Sequence, residues 1–145
     1  MNVDKKVLRI LDANFNRSRE GLRVCEEIFR FFLSDPLIMR KLKQARHEIT
    51  RILKSASFPR ASLLAARDVG ADKGKSPSLL ENERSGILDL FSANIERTKE
   101  SLRVLEEFSK ALDPKIAFEF KKLRFEIYAI EKRALPKLES LRDCR

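Results

Sequence analysis

The sequence predicts an all-α protein, two duplicated helical hairpins forming a four-helix bundle with pseudo-twofold symmetry and a long central loop. Three observations carry this. Residues 13–27, ANFNRSREGLRVCEE, return at 93–107 as ANIERTKESLRVLEE, with nine of fifteen positions identical at an offset of 80. The match then continues at an offset of 78, where Asp35-Pro36 answers Asp113-Pro114, Arg46 answers Arg124 and Glu48-Ile49 answers Glu126-Ile127. Finally, four Gly and five Pro in 145 residues leave long stretches free to stay helical, and 43% apolar residues with ten Phe suffice for one core. The expected organisation is a single domain, 1–145, with hairpin repeats at about 4–56 and 85–141 and a connection at 57–84.

At 100° per residue, Val7, Ile10, Leu11, Phe15, Leu22, Cys25, Phe29 and Phe32 form one stripe, which predicts a first helix near 4–33. Asp35 then caps free amides, and Pro36 has no N–H to lose in a first turn, so a second helix is predicted at 36–55. Its stripe is Ile38, Leu42, Ala45, Ile49 and Ile52. SFPRASLL reads as a turn followed by a short helical or extended piece, and ARDVGADKGKSPS reads as a loop. The third helix is predicted at 86–111. The fourth, at 115–140, carries Ile116, Phe120, Leu123, Ile127 and Ile130.

No segment approaches the ~20 apolar residues of a membrane span, and no signal-peptide pattern opens the chain. Two cysteines make no disulfide framework, so a cytoplasmic setting is expected. The net charge of +9 fits either a solvated surface or an anionic partner.

Position on the helices separates these readings better than total charge. Asn14, Ser18 and Gly21 interrupt the first apolar stripe, with Arg17 at its edge, and Asn94, Thr98, Ser101 and Arg97 repeat this in the third helix. A register-fixing buried Asn is one reading; the other, at matching heights in both repeats, is a polar cavity in the bundle centre, or one at each pseudo-equivalent end. Arg46 and Arg124 lie within the stripes of the second and fourth helices, where a guanidinium must be paired. Two pairings are open: an internal carboxylate, Glu20, Glu27 or their repeats, or a ligand phosphate gripped by the planar fork. Glu27 and Glu107, duplicated with the arginines, join the candidate binding residues.

Arg19, Arg23 and Glu26 are expected to point mostly outward. Glu20, Val24, Glu27 and Phe31 form a mixed face whose apolar members predict a homo-oligomer. His47 falls on a polar side and is given no catalytic role. Most aromatics fall on buried stripes, which argues against a nucleic-acid partner.

In the loop, GADKGKS has three residues between its glycines where a Walker loop has four; it lacks a preceding apolar strand, and Pro77 follows at once. A Walker loop is therefore rejected. Asp68 and Asp72, flanked by Gly70 and Gly74, nevertheless suit Mg²⁺ and phosphate, with Arg67, Lys73 and Lys75 as further cations.

The run RILDANFNRSREGLRVCEE, then AARDVGADKG, then SANIERTKESLRVLEE with KKLRFEIYAIEK, resembles a small helical family of thiamin biosynthesis. These are the hydroxymethylpyrimidine phosphate kinases that stand alone or are fused to the N-terminus of thiamine-phosphate synthase. The family's loop pattern is matched by Arg67, Asp68, Asp72 and Gly74, while Lys73 and Lys75 depart from the usual Val and Thr. The resemblance implies transfer of the ATP γ-phosphoryl group, with Mg²⁺, to 4-amino-5-hydroxymethyl-2-methylpyrimidine phosphate, with preference for the monophosphate over the free pyrimidine. It also implies a functional link to thiamine-phosphate synthase. Arg17, Arg97, Asp68 and Asp72 are then the candidate catalytic residues, the two aspartates also holding the metal. Asn14, Asn94, Arg46, Arg124, Arg67, Glu27 and Glu107 are the candidate binding residues. Arg17 and Arg97 are expected to divide the two substrates between the halves. Two other readings stay open: a helical anion-binding enzyme of chorismate-mutase-like chemistry, and a basic nucleic-acid or protein adaptor.

Overall fold

The computed structural model describes residues 4–75 and 86–143; the part of the predicted connection around Pro77, and Cys144, lie outside the described residues. Asp4 caps the first helix, its carboxylate accepting the Lys6 amide at 2.8 Å. α1 runs Lys5–Glu27 and continues as one π-helical turn, Ile28–Phe32. That wider turn breaks the 100° phase: Ile28 and Phe29 enter the core, whereas Phe32, expected on the core stripe, is left in solvent beside Phe31. Ser34 is left-handed at φ 47° where the chain reverses, and the Asp35 carboxylate then accepts the amides of Leu37 and Ile38 at 3.2 and 3.1 Å. α2 follows at Pro36–Lys54.

α3, Arg60–Ala66, is the helical choice for SFPRASLL, and it buries Leu63 and Ala66 as it packs on α1. A loop leads to a 3₁₀ turn at Lys73–Lys75. α4 spans Gly86–Ser109 and α5 spans Pro114–Asp143. Asp113 repeats the cap of Asp35, accepting from Lys115 and Ile116, and its second oxygen takes the Ser57 amide at 2.9 Å, which ties the end of α2 to the start of α5. Pro136 sits inside α5, where its missing N–H removes one intrahelical bond. No strand occurs among the described residues.

The four long helices pack as a ring: α1 on α2 and α4, and α5 on both of those. Phe15 of α1 meets Phe120 of α5 edge-on at 5.6 Å, and Phe29 meets Phe91 of α4 at 5.7 Å. α1 and α4 run antiparallel, since Ser18 faces Thr98 while Cys25 faces Phe91.

The small polar residues Ser18, Gly21, Thr98 and Ser101 sit at a close contact between α1 and α4, while Asn14 and Arg17 of the same gap line a cleft. Ser18, Thr98 and Ser101 are buried, and their hydroxyls donate to carbonyls of their own helices, Phe15, Asn94 and Thr98, at 2.9 Å each. A Cβ on Gly21 would stand 2.5 Å from Thr98 Oγ1 and 2.8 Å from the Asn94 carbonyl. The small side chains let two backbones approach. Hydrophobic periodicity alone cannot tell such a contact from a void.

Candidate functional site

The loop after α3 is pinned to α1 by one ion pair. Arg67 donates through Nε to Asp12 Oδ2 at 2.7 Å and through Nη2 to Oδ1 at 2.8 Å, a bidentate fork that bridges 55 residues of chain. The bond to Asp12 holds the Arg67 guanidinium above its ordinary pKa. Asp12 is buried on the flank of α1 toward α3, so the loop is fixed across that helix. Within it, Asp68 Oδ1 accepts the Ala71 amide at 3.1 Å and Asp72 Oδ1 accepts the Gly74 amide at 2.8 Å. Each aspartate uses one oxygen to shape the loop and keeps the other.

Between this loop and α1 lies a cleft of about 680 Å³. Lys6, Arg9, Ala13, Arg17 and Glu20 reach it from successive turns of α1, with Asn14 deeper in. The Asn14 amide donates to the Ile10 carbonyl at 2.8 Å. Among the described residues, the side chains of Lys6, Arg9 and Arg17 have no hydrogen-bond or ion-pair partner. The cleft thus joins unpaired cations to two loop carboxylates. No group of three or more metal-ligating side chains exists among the described residues. Two carboxylates with a nucleotide's own phosphates are nonetheless a fitting donor set for Mg²⁺, which dehydrates reluctantly and takes few protein ligands.

Of the eleven predicted site residues, the cleft gathers Asn14, Arg17, Arg67, Asp68 and Asp72. The other six are elsewhere. Arg46 is held by Glu26, Nε at 3.3 Å and Nη2 at 3.2 Å, and Arg124 by Glu106 at 3.3 and 3.1 Å, with Tyr128 Oη at 3.4 Å. The internal pairing is therefore realised with Glu26 and Glu106, in place of Glu20 and Glu27. Glu26 is 0% exposed, which corrects its outward assignment: four residues after Leu22, it sits on the edge of the core stripe toward α2. Glu27 pairs with Arg23 and Arg30, and Glu107 with Arg103 and Lys110. Asn94 donates to the Leu90 carbonyl at 2.9 Å, and Arg97 is exposed and lines none of the clefts described.

Two further expectations change. Val24 is partly buried against the core, leaving Phe31 the exposed apolar member of its face. Six of the eleven aromatics, Phe31, Phe32, Phe108, Phe118, Phe125 and Tyr128, are exposed, so burial of aromatics no longer argues against a nucleic-acid partner. A hollow of about 820 Å³ between α2 and α5 gathers none of the predicted residues, and its Arg51 is already held by Glu48 and Glu119. Sequence reasoning missed Asp12, Arg9 and Lys6. The available signal for Asp12 was an acid one turn after Leu8 and one turn before Phe15, beside the core.

A model of the ThiD2 family matches residues 9–133. The chain belongs to the ThiD2 family. Among curated proteins, it is 41% identical over 130 residues to a thiamine-phosphate synthase of Nostoc punctiforme, covering 89% of this chain and 35% of the relative. A thiamine-phosphate synthase of Gloeobacter violaceus is 39% identical over 134 residues, 90% of this chain and 37% of the relative. One of Rhodopirellula baltica is 36% identical over 126 residues, 86% and 33%. The ThiD2 chain thus spans about a third of the length of these relatives. No solved structure matches it. The ThiD2 match takes in every cleft residue except Lys6, which precedes it.

Proposed function

We propose that this ThiD2 chain is an ATP-dependent kinase of thiamin biosynthesis that converts 4-amino-5-hydroxymethyl-2-methylpyrimidine phosphate to the diphosphate. The observation that carries the reading is the cleft in which Arg9 and Arg17, unpaired among the described residues, face Asp68 and Asp72. Family membership and relatives named thiamine-phosphate synthase support the pathway.

An oxygen of the pyrimidine phosphate attacks the γ-phosphorus, the bond to the β–γ bridging oxygen breaks, and ADP leaves with that electron pair. The attacking oxygen is already ionised, so no strong general base is needed; positioning and charge neutralisation do the catalysis. Arg17 and Arg9 grip phosphate oxygens, Asn14 orients the ligand, and the Asp12–Arg67 pair keeps the loop in place. Asp68 and Asp72 would hold a Mg²⁺ ion, which would supply charge neutralisation to the nucleotide phosphates. The free pyrimidine offers no phosphate to grip and is turned over poorly.

The reading includes a functional link to thiamine-phosphate synthase, self-association over the exposed Phe31 and Phe32, and a cytoplasmic setting. No helix of the described residues is long and apolar enough to cross a membrane. The test is ADP release with Mg·ATP and the pyrimidine monophosphate, with the diphosphate detected by phosphorus NMR. Turnover with the monophosphate, and little with the free pyrimidine, is the expected result. Asp72→Asn lowers turnover at saturating substrate and leaves the melting temperature nearly unchanged. No ADP release above the rate without the pyrimidine contradicts the proposal.

A further inference from the structure

Behind the Asp12–Arg67 pair lies a second hollow of about 460 Å³, between α1, the end of α2 and α3. Phe15, Leu53 and Leu63, all buried, give it an apolar floor, and Arg19 and Arg60 line it. The Arg19 Nε is buried with no hydrogen-bond partner. Among the described residues, no carboxylate pairs with Arg19 or Arg60. A buried donor without a protein partner is costly to leave unmade, so Arg19 Nε is open to an acceptor entering this hollow.

The second repeat shows what a closed version of this corner looks like. Arg19 is answered there by Lys99, Asn16 by Glu96 and Leu53 by Glu131. The Lys99 ammonium reaches Glu131 at 2.8 Å, contacts Glu96 as well, and lies 5.1 Å over the Tyr128 ring. Burial pulls that ammonium down, and the two carboxylates outweigh it and hold it above the ordinary lysine pKa. In the first repeat both carboxylates are replaced by neutral residues, while the cation remains. One of them, Leu53, gives an apolar surface instead.

We infer that this hollow is the acceptor subsite, with the pyrimidine ring against Phe15, Leu53 and Leu63 and its phosphate on Arg19. The identity of the ligand rests on the kinase reading; the anion subsite itself does not. The nucleotide then occupies the neighbouring cleft. The two hollows share Asp12, Asn16 and Arg67, so the reacting phosphates meet beside the Arg67 guanidinium. Both substrates belong to the first repeat, in contrast to the one-per-repeat division expected from the duplication.

Calorimetric titration of the full chain with the pyrimidine monophosphate, and separately with the magnesium complex of the β,γ-imido analogue of ATP, tests this. Arg19→Ala weakens the monophosphate at least tenfold and the nucleotide analogue less than threefold; Arg17→Lys does the reverse. Asn16→Glu, which imports the carboxylate of the second repeat, neutralises Arg19: it weakens the monophosphate at least tenfold with an unchanged or higher melting temperature. That last result separates a ligand role from a structural one. Monophosphate affinity unchanged in both Arg19→Ala and Asn16→Glu overturns the subsite, and does so whether or not the protein turns over. If binding follows the predicted pattern but no ADP is released, the subsite stands and the kinase reading falls.

Discussion

The Glu26–Arg46 pair of the first hairpin and the Glu106–Arg124 pair of the second are the same device, a guanidinium on a core-facing helix edge met by a buried carboxylate from the preceding helix. Arg23 and Arg103 flank these carboxylates in the same way, and Asp35 and Asp113 cap the same turn. The Asp12–Arg67 pair has no such counterpart, because position 92 is Ser. The charges beside it differ as well: Arg9 is answered by Asp89, and Arg19 by a Lys99 that its own carboxylates satisfy. The same pairs and caps recur in both halves, and among the described residues the first half alone combines unpaired cations with a loop fixed over them. Side chains that hold the fold are satisfied within the chain. Those left without a partner line the cleft on which the proposed function rests.

Breaking the shared device has the largest effect. Glu26→Ala strands a mostly buried guanidinium and lowers stability by about 3 kcal/mol in urea denaturation. Glu106→Ala costs less, because Arg124 keeps the Tyr128 hydroxyl and lies 5.1 Å from the Phe125 ring. An effect under 1 kcal/mol at both sites, on the order expected of surface pairs, is incompatible with these buried pairs.

Next comes the crossing of α1 and α4. Gly21→Ala forces a methyl onto the Thr98 hydroxyl and the Asn94 carbonyl and costs ~1–3 kcal/mol. Its repeat partner Ser101 tolerates alanine, losing only a bond to its own helix, ~1 kcal/mol or less. Equal midpoints for Gly21→Ala and wild type remove the close approach.

The caps come third. Asp35→Ala loses ~1 kcal/mol. Hydrogen bonding from Lys137, opposed by desolvation and aided by the Ile38 amide, holds the Asp35 carboxyl below its usual range. A lowered folded pKa gives stability that is full above the unfolded value of about 4 and fades as pH falls through the folded one. The difference in melting temperature between wild type and Asp35→Asn therefore shrinks from pH 6 to pH 3. A constant difference over that range contradicts the ion pair.

Smallest in stability is Asp12→Ser, which gives the first hairpin the residue of the second. Its partner Arg67 is partly solvated, so the loss stays under ~1 kcal/mol. Turnover nevertheless falls at least tenfold as the loop comes loose. Full turnover in Asp12→Ser shows that the loop needs no pin.

Much of the fold was legible because it is written locally. The Asp-Pro caps, the apolar stripes and the duplicated motif each lie within a few turns of chain. Arg17, Asn14, Asp68 and Asp72, which one cleft gathers, were legible as candidates for the same reason, being polar residues on a core edge or in a Gly-flanked loop. What lay beyond reach depends on partners far apart in sequence. Ser18 and Thr98 read as a gap because a helical wheel does not show how close the next helix comes. Asp12 and Arg67 are 55 residues apart, and nothing in either segment names the other. The difference between Arg19 and Lys99 was present in the sequence, since Asn16 stands against Glu96 and Leu53 against Glu131. Its meaning needed the distances from Lys99 to both carboxylates.

The central claim, that the halves share a scaffold while the first alone holds the ligand site, is tested most directly by one paired measurement. Mg·ATP affinity is determined by calorimetry for Arg17→Lys and for Arg97→Lys, each keeping its charge and losing the planar fork. Arg17→Lys is predicted to weaken binding by ~1–3 kcal/mol and Arg97→Lys to leave it at the wild-type value. Equal losses in the two variants, or a loss confined to Arg97→Lys, would contradict the account.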